Sequence, residues 1–291
     1  MLGEIRGEVR FKEPLSFHTS LRIGGPADIF VVPQDVEDIR HALMFADREQ
    51  LPVAVVGGGN NLLVRDRGVR GVVLKLEGCL GRAEFHGEEA LAGAGVSLSA
   101  LIREAAALNL GGVESLVGIP ATIGGALAMN AGTADGWIGD FVSAVYYLHP
   151  DGSLGEFKPS PSFGYKAFHM PAGSVLIGCR MQFQRRALAE IQKDIRARLK
   201  QKKSTQPLAL ASAGFVWKNP AGDLASRLIE KAGLRGKRVN GAEISSKHAN
   251  FIVNRGGAGA ADILSLMELT RERVHGHFGI ALEPEIRVLG E

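Results

Sequence analysis

The sequence predicts an α+β chain of more than one domain, on three observations. Short β-branched apolar runs alternate with stretches whose apolar residues recur at helical spacing. Glycine makes up 38 of 291 residues, roughly 13% against a usual share of about 7%, and it gathers in two clusters beside apolar runs. A Lys- and Arg-rich helical stretch, Ala187 to Lys203, resembles nothing before it and marks a boundary around residues 184 to 205.

Residues 15 to 33 read as short extended segments around the turn Ile23-Gly24-Gly25-Pro26. A helix is expected to open near Asp35, with Val36, Ile39 and Leu43 on one face. Pro52 to Val56 reads as a strand that ends at Gly57-Gly58-Gly59-Asn60-Asn61, and Leu62–Asp66 and Gly71–Leu74 read as further strands. The next helix starts after Ser97, an expected N-cap, and stops at Gly111-Gly112. The second glycine cluster, Gly118 to Ala126, runs into Met129-Asn130-Ala131-Gly132. Strands are expected over Val142 to Leu148 and Val175 to Phe183, with a turn at Asp151-Gly152. Beyond residue 205 the pattern predicts helices near Asp223 to Ala232 and Ala261 to His277, and strands at Asn250–Val253 and Glu285–Val288.

Composition narrows the function classes. With 45% hydrophobic and 22% charged residues and no Gly-X-Y period, the chain is neither collagen-like nor disordered. A net charge of +3 is too mild for a dedicated nucleic-acid binder. The Lys/Arg cluster from Arg185 to Lys203 lacks interleaved aromatics and reads as a solvated helix face. Cys79 and Cys179 lie far apart without CxxC spacing, so neither a zinc site nor a disulfide framework is expected, and a cytoplasmic location fits best. The charged start of the chain and the absence of any long apolar stretch give no support to secretion or membrane insertion.

Successive glycine amides at Gly57-Gly58-Gly59-Asn60-Asn61 can turn several N–H groups toward one anion. The GxGxxG spacing of a Rossmann site and the Lys-Ser/Thr ending of a P-loop are both missing. One such loop is equally a glycine-rich hairpin turn. The second cluster changes that balance, because Pro120 restricts the backbone while Gly124-Gly125 permits close approach. Two small-residue loops suit a long ligand, such as the dinucleotide FAD.

Five strings in order along the chain carry a resemblance: His18-Thr19-Ser20-Leu21-Arg22-Ile23-Gly24-Gly25-Pro26-Ala27; Val56 to Val64; Gly118-Ile119-Pro120 with Gly124-Gly125-Ala126; Lys218-Asn219-Pro220; and Lys247-His248-Ala249-Asn250-Phe251-Ile252-Val253-Asn254. The chain resembles the UDP-N-acetylenolpyruvoylglucosamine reductases, the MurB flavoenzyme family of peptidoglycan synthesis, in its shorter type. The resemblance implies a vanillyl-alcohol-oxidase/PCMH-type FAD-binding domain over 1–185, with subdomains about 1–75 and 76–185, and a smaller α+β substrate domain over 186–291. It implies FAD, with NADPH as co-substrate, and reduction of the enolpyruvyl ether of UDP-N-acetylglucosamine to UDP-N-acetylmuramate. No metal, nucleic acid or membrane is implied.

The same resemblance assigns Gly57, Gly58, Gly59, Asn60, Asn61, Leu62, Gly118, Ile119, Pro120, Gly124 and Gly125 to the cofactor, and Tyr165, Lys218 and Asn219 to the substrate. Glu285, in Leu282-Glu283-Pro284-Glu285-Ile286, is assigned to polarise or protonate the developing enol, with Glu283 a bystander. Two positions depart from the family pattern. Lys166 follows Tyr165 where the family carries arginine, keeping the charge but losing the fork that suits a carboxylate. Phe215 follows Gly214 where the family carries a serine or cysteine proton donor, and a phenyl ring has no proton to give. The alternative reading is a flavin-binding protein of the same fold with the reductase activity lost or changed. His248 reads as a turn-anchoring histidine ahead of a catalytic base.

Overall fold

A computed structural model describes residues 2–76, 78, 80–157 and 163–291 of the chain. Cys79, one of the two cysteines weighed above, lies outside the described residues. The Cys179 thiol is free and buried, and burial pushes its pKa up to about 12. Among the described residues, no group of three His, Cys, Asp or Glu is placed to hold a metal ion, and no helix is long and apolar enough to cross a membrane.

The chain divides into two compact units, each with its own core. The first comprises Met1–Phe11, Ile29–Gly58 and Gly71–Lys202, and the second Lys12–Asp28, Gly59–Arg70 and Lys203–Glu291. This differs from a single break at residue 186. Most of the charged helix stays with the first unit, because Ile195 packs on that unit's core and Arg186 pairs with Glu114 at 2.8 Å.

In the first unit, helix α1 (Val36–Arg48) begins where expected, and Asp35 caps it by accepting from the Glu37 and Asp38 N–H groups. Its apolar stripe of Ile39, Ala42, Leu43 and Ala46 is buried, as 3.6-residue periodicity requires. Val53–Val56 pairs in parallel with Val69–Lys75, in a sheet that continues through Pro26–Val32 to Glu8–Pro14. A second sheet of five strands runs in the order Leu154–Phe157, Val142–Leu148, Val175–Gln182, Glu89–Gly93, Ala83–His86, with every pairing antiparallel.

Helix α2 (Leu98–Ala107) buries Leu98, Leu101, Ile102 and Ala105. Two expectations fail here. Ser97 makes no capping bond, its hydroxyl lying 3.0 Å from that of Ser99, and the helix ends before Gly111-Gly112. Asn109 takes the left-handed conformation at φ 59°, which stops the helix and turns Leu110–Gly111 into a strand paired with Gln184–Arg185. The second glycine cluster is also not all loop. Residues Ile123–Ala128 form a short helix, α3, whose Thr122 hydroxyl accepts from the Gly125 N–H at 3.2 Å. Helix α4 (Leu188–Thr205) buries only Ile191 fully, in keeping with a solvated face.

The second unit holds helices α5 (Ala225–Lys231) and α6 (Ala260–Phe278) and a sheet in the order Ala211–Ser212, Ile252–Asn254, Ala242–Ile244, Arg238–Val239. Arg287–Leu289 pairs in parallel with Leu62–Val64. Asp66, just after that short strand, accepts from the N–H groups of Ala260 and Ala261 at 2.8 and 3.2 Å, filling an N-cap role from a distant part of the chain. Glu243 is 2% exposed, between Arg255 and Arg238. The Arg255 hydrogen bonds, joined by those of Arg238, outweigh burial and hold its carboxyl below the usual range.

Candidate active site

The candidate residues fall in both units, and the first glycine loop is where the chain passes from one to the other. In the first unit, Gly57 follows Val53–Val56 and faces the second cluster directly. A Cβ on Gly57 would stand 2.5 Å from the Thr122 hydroxyl oxygen, so only glycine allows this approach. Lys75, 8% exposed, donates from Nζ to the Gly57 carbonyl at 2.6 Å and fixes the start of the loop. Gly118 has φ 73°, and Gly124 lies so close to Ala94 that an added Cβ would come within 2.9 Å of its methyl. The Ser115 hydroxyl, three residues before Gly118, is buried without a hydrogen-bond partner among the described residues.

Tyr165 and Lys166 form the two-residue tip of a hairpin in which Phe163 pairs with Phe168 and Gly164 with Ala167. The Asn130 amide holds this hairpin by donating to the Gly164 carbonyl at 2.9 Å while accepting from the Gly139 N–H at 3.0 Å. Lys166 has φ 53°, and its ammonium lies 5.4 Å from the centre of the Trp137 ring, which Tyr165 meets edge-on at 5.4 Å.

In the second unit, Gly59 has φ 66° and its carbonyl accepts from the Ser20 N–H at 3.1 Å. Asn61 donates from its side chain to the Glu285 carbonyl at 3.1 Å, and its own carbonyl accepts from the Arg287 N–H at 3.0 Å. Leu62 pairs with Arg287 in the parallel strands. The Glu285 N–H donates to the Val216 carbonyl at 2.7 Å, and the Lys218 N–H to the Glu283 carbonyl at 2.9 Å. Loop residue Asn61, the carboxylate-bearing segment at Glu285 and the stretch from Gly214 to Lys218 are thereby brought together, although the sequence separates them by as much as 224 residues.

Phe215 stacks on His248 at 5.0 Å and meets Phe251 edge-on at 5.3 Å. Asn250 fixes the backbone beside it: its carbonyl accepts from the Val216 N–H, and its buried side chain bonds the N–H and carbonyl of Trp217 at 2.9 and 2.8 Å. His248 accepts from the Asn250 N–H at its Nδ1, 3.3 Å away, which is the turn-anchoring role. Burial, then the charge of Arg235, holds the imidazole below its ordinary pKa. Lys218 pairs with Glu283 at 3.3 Å, and Asn219 spends its side-chain oxygen on the Ala225 N–H at the start of α5, 3.0 Å away.

Lys75, Thr122, Ser20 and Asn250 escape sequence reasoning. A lysine at the end of an apolar strand run is the one signal that could have drawn attention to Lys75. Close-approach glycines, an orphaned buried hydroxyl and a lysine-pinned loop are what a cradle for a dinucleotide requires, so the residues present fit FAD.

A profile described as "FAD binding domain" matches residues 27–158, and one described as "UDP-N-acetylenolpyruvoylglucosamine reductase, C-terminal domain" matches 206–289. The mixed α+β fold and the FAD-binding profile define an FAD-binding oxidoreductase of the vanillyl-alcohol-oxidase/PCMH type. A solvent-stable cholesterol oxidase shares the fold alone, at TM-score 0.50 and 19% identity over 63% of this chain and 38% of that one. The chain is 45% identical over 290 residues to the UDP-N-acetylenolpyruvoylglucosamine reductase of Anaeromyxobacter sp. (strain Fw109-5), covering 99% of this chain and 90% of that protein. It is 41% identical to the same-named protein of Geobacter metallireducens over 99% and 96% of the two chains. The crystal structure of UDP-N-acetylenolpyruvylglucosamine reductase (MurB) from Thermus caldophilus superposes with TM-score 0.84 at 36% identity, covering 98% of this chain and all of that one. This chain therefore belongs to the MurB family of UDP-N-acetylenolpyruvoylglucosamine reductases.

Proposed function

We propose that this protein reduces the enolpyruvyl ether of UDP-N-acetylglucosamine to UDP-N-acetylmuramate with NADPH, in cytoplasmic peptidoglycan synthesis. The observation that carries the reading is the hydrogen-bonded cluster of Asn61, Glu285 and the stretch after Gly214. It ties a cofactor-loop residue to the backbone of Glu285, the residue whose carboxylate is assigned to the enol.

Gly57, Gly58, Gly59, Asn60, Asn61 and Leu62 hold the cofactor together with Gly118, Ile119, Pro120, Gly124 and Gly125. When bound, FAD supplies the hydride relay between NADPH and the terminal carbon of the enolpyruvyl group. The residues must then stabilise negative charge on an enolate and deliver a proton to the carbon beside the carboxylate. Lys166 supplies a point charge near that carboxylate, and Glu285 polarises the enol. Tyr165, Lys218 and Asn219 line the substrate path. Phe215 cannot donate, so a water held by Glu285 or Lys166 takes the place of the family's hydroxyl, and turnover is slower for it.

A second reading is a flavoprotein of this fold with the reductase step lost or changed. It is favoured by the packing of Phe215 on His248 and Phe251, where a proton donor is expected. The two readings separate in one experiment on FAD-loaded protein. Flavin bleached by NADPH and then recoloured by the enolpyruvyl substrate supports the reductase. Bleaching without recolouring supports the second reading.

A further inference from the structure

We infer that Trp137 is a positioning residue for Lys166: its indole holds the ammonium in place, so that a lysine can meet the substrate carboxylate where the family pattern carries arginine. This rests on the reductase reading and deepens it. The Lys166 ammonium lies 5.4 Å from the centre of the Trp137 ring, within range of the cation–π attraction that is strongest for tryptophan. Tyr165, the other residue of the hairpin tip, meets the same ring edge-on at 5.4 Å, with the planes 79° apart. Trp137 is itself fixed. It pairs with Gly132 in a two-stranded ribbon, and its backbone N–H donates to Asp140 Oδ2 at 2.7 Å. A Cβ on Gly132 would stand 2.8 Å from the indole Cε3, so glycine is what lets the ring lie there. Asn130 then ties ribbon to hairpin. Its side chain donates to the Gly164 carbonyl at 2.9 Å and accepts from the Gly139 N–H, two residues beyond Trp137, at 3.0 Å. Gly139 in turn lies so close to Phe163 that an added Cβ would come within 2.8 Å of its ring. The two segments are locked together, and indole and ammonium meet across the join.

A lysine needs such a partner more than an arginine does. The guanidinium fork is planar and organised before it binds, whereas an ammonium is a point charge at the end of a flexible four-carbon stem. Fixing the Lys166 backbone at φ 53° therefore leaves its charge unplaced. The indole face restricts where the stem points, and it does so through a quadrupole. An acid in the same position would compete with the substrate carboxylate for the ammonium; an aromatic face leaves the full charge for it. The benefit grows as negative charge develops on the enolate, so it falls on kcat as well as on binding. Trp137 acts through Lys166 and not by touching the substrate. Its contribution must therefore vanish when the ammonium is removed.

The test is a double-mutant cycle on FAD-loaded protein: wild type, Trp137→Leu, Lys166→Met and the two together. Trp137→Leu should lower kcat/KM for the enolpyruvyl ether about fivefold, the size of a partly desolvated cation–π contact. In the Lys166→Met background the same change should cost less than about twofold, because nothing is left for the indole to place. A tryptophan that only packs the ribbon would cost the same factor in both backgrounds. Trp137→Phe keeps a ring face and should lose only about twofold. It carries the same cycle if Trp137→Leu does not fold. The pairing is also read without substrate, in protein labelled with lysine carrying 13C at Cε. The Lys166 signal, assigned by its disappearance in Lys166→Met, should sit upfield of the exposed lysines under the indole ring current, and return to their position in Trp137→Leu or, at least in part, in Trp137→Phe. That upfield signal in a protein that reduces no enolpyruvyl ether would sink the reductase reading and leave the Trp137–Lys166 pairing standing. Three results overturn the inference: wild-type kcat/KM in Trp137→Leu, an equal loss with and without the Lys166 ammonium, or a Lys166 signal that none of the Trp137 variants moves.

Discussion

Replacing Phe215 with serine has opposite effects on stability and rate. The ring stacks on His248 and meets Phe251 edge-on, and both contacts disappear in Phe215→Ser. Each aromatic pair contributes about 0.5–1.5 kcal/mol beyond area burial. Because Phe215 is only half-buried, the total falls below the roughly 3–5 kcal/mol lost when a fully buried phenylalanine is truncated. A loss of about 2 kcal/mol is expected, measured by denaturant unfolding of the FAD-loaded protein. The backbone should stay in place, since the Val216 N–H and carbonyl are held by Asn250 and Glu285 at 3.0 and 2.7 Å. The new hydroxyl then occupies the family's donor position, where a positioned acid contributes on the order of 10²–10⁴ in rate. Turnover should rise at least about tenfold even if the fit is imperfect. Stopped-flow isolates the effect: bleaching by NADPH keeps its wild-type rate, and recolouring by the enolpyruvyl substrate accelerates. Recolouring no faster than wild type, in a variant that still folds and binds FAD, would refute the claim that Phe215 limits protonation.

Gly59→Ala puts a Cβ 2.0 Å from the His18 carbonyl at a φ of 66°, so the loop must shift and the purified protein should lose most of its flavin absorbance. Glu243→Gln leaves Arg238 and Arg255 without their carboxylate; because both guanidinium groups are partly exposed, at 63% and 41%, the cost should be about 2–3 kcal/mol, at or below the low end for a fully buried pair. Since the folded carboxyl lies below its ordinary 4.5, that contribution is complete above 4.5 and fades as pH falls through the folded value, so the wild-type advantage over Glu243→Gln should shrink in acid unfolding curves. Asp66→Ala removes the acceptor for the first N–H groups of α6 and should cost about 1 kcal/mol in the same assay.

Local chemistry made much of this fold legible. The stripe of Ile39, Ala42 and Leu43 and the cap at Asp35 fix α1 without reference to anything distant. Gly111-Gly112 is a stronger stop signal in sequence than Asn109, yet it is Asn109 that takes the left-handed turn after α2. Helix α3 was hidden by its glycines, which lower helix propensity, while the Thr122 cap and close packing on Ala94 override it. The pinning of Gly57 by Lys75, the capping of α6 by Asp66 and the Asn61–Glu285 bond are long-range events that no periodicity encodes. Trp137 is a single aromatic after a glycine in sequence, and its place beside the Lys166 ammonium shows only in three dimensions.

The central claim is tested most directly by a single anaerobic turnover. FAD-loaded protein is reduced with one equivalent of NADPH and mixed with the enolpyruvyl ether of UDP-N-acetylglucosamine, and the nucleotide sugar is then weighed by mass spectrometry. Reoxidised flavin together with a product two hydrogens heavier, matching UDP-N-acetylmuramate, is the predicted result. Flavin that stays reduced, with the enolpyruvyl ether recovered unchanged, would contradict it.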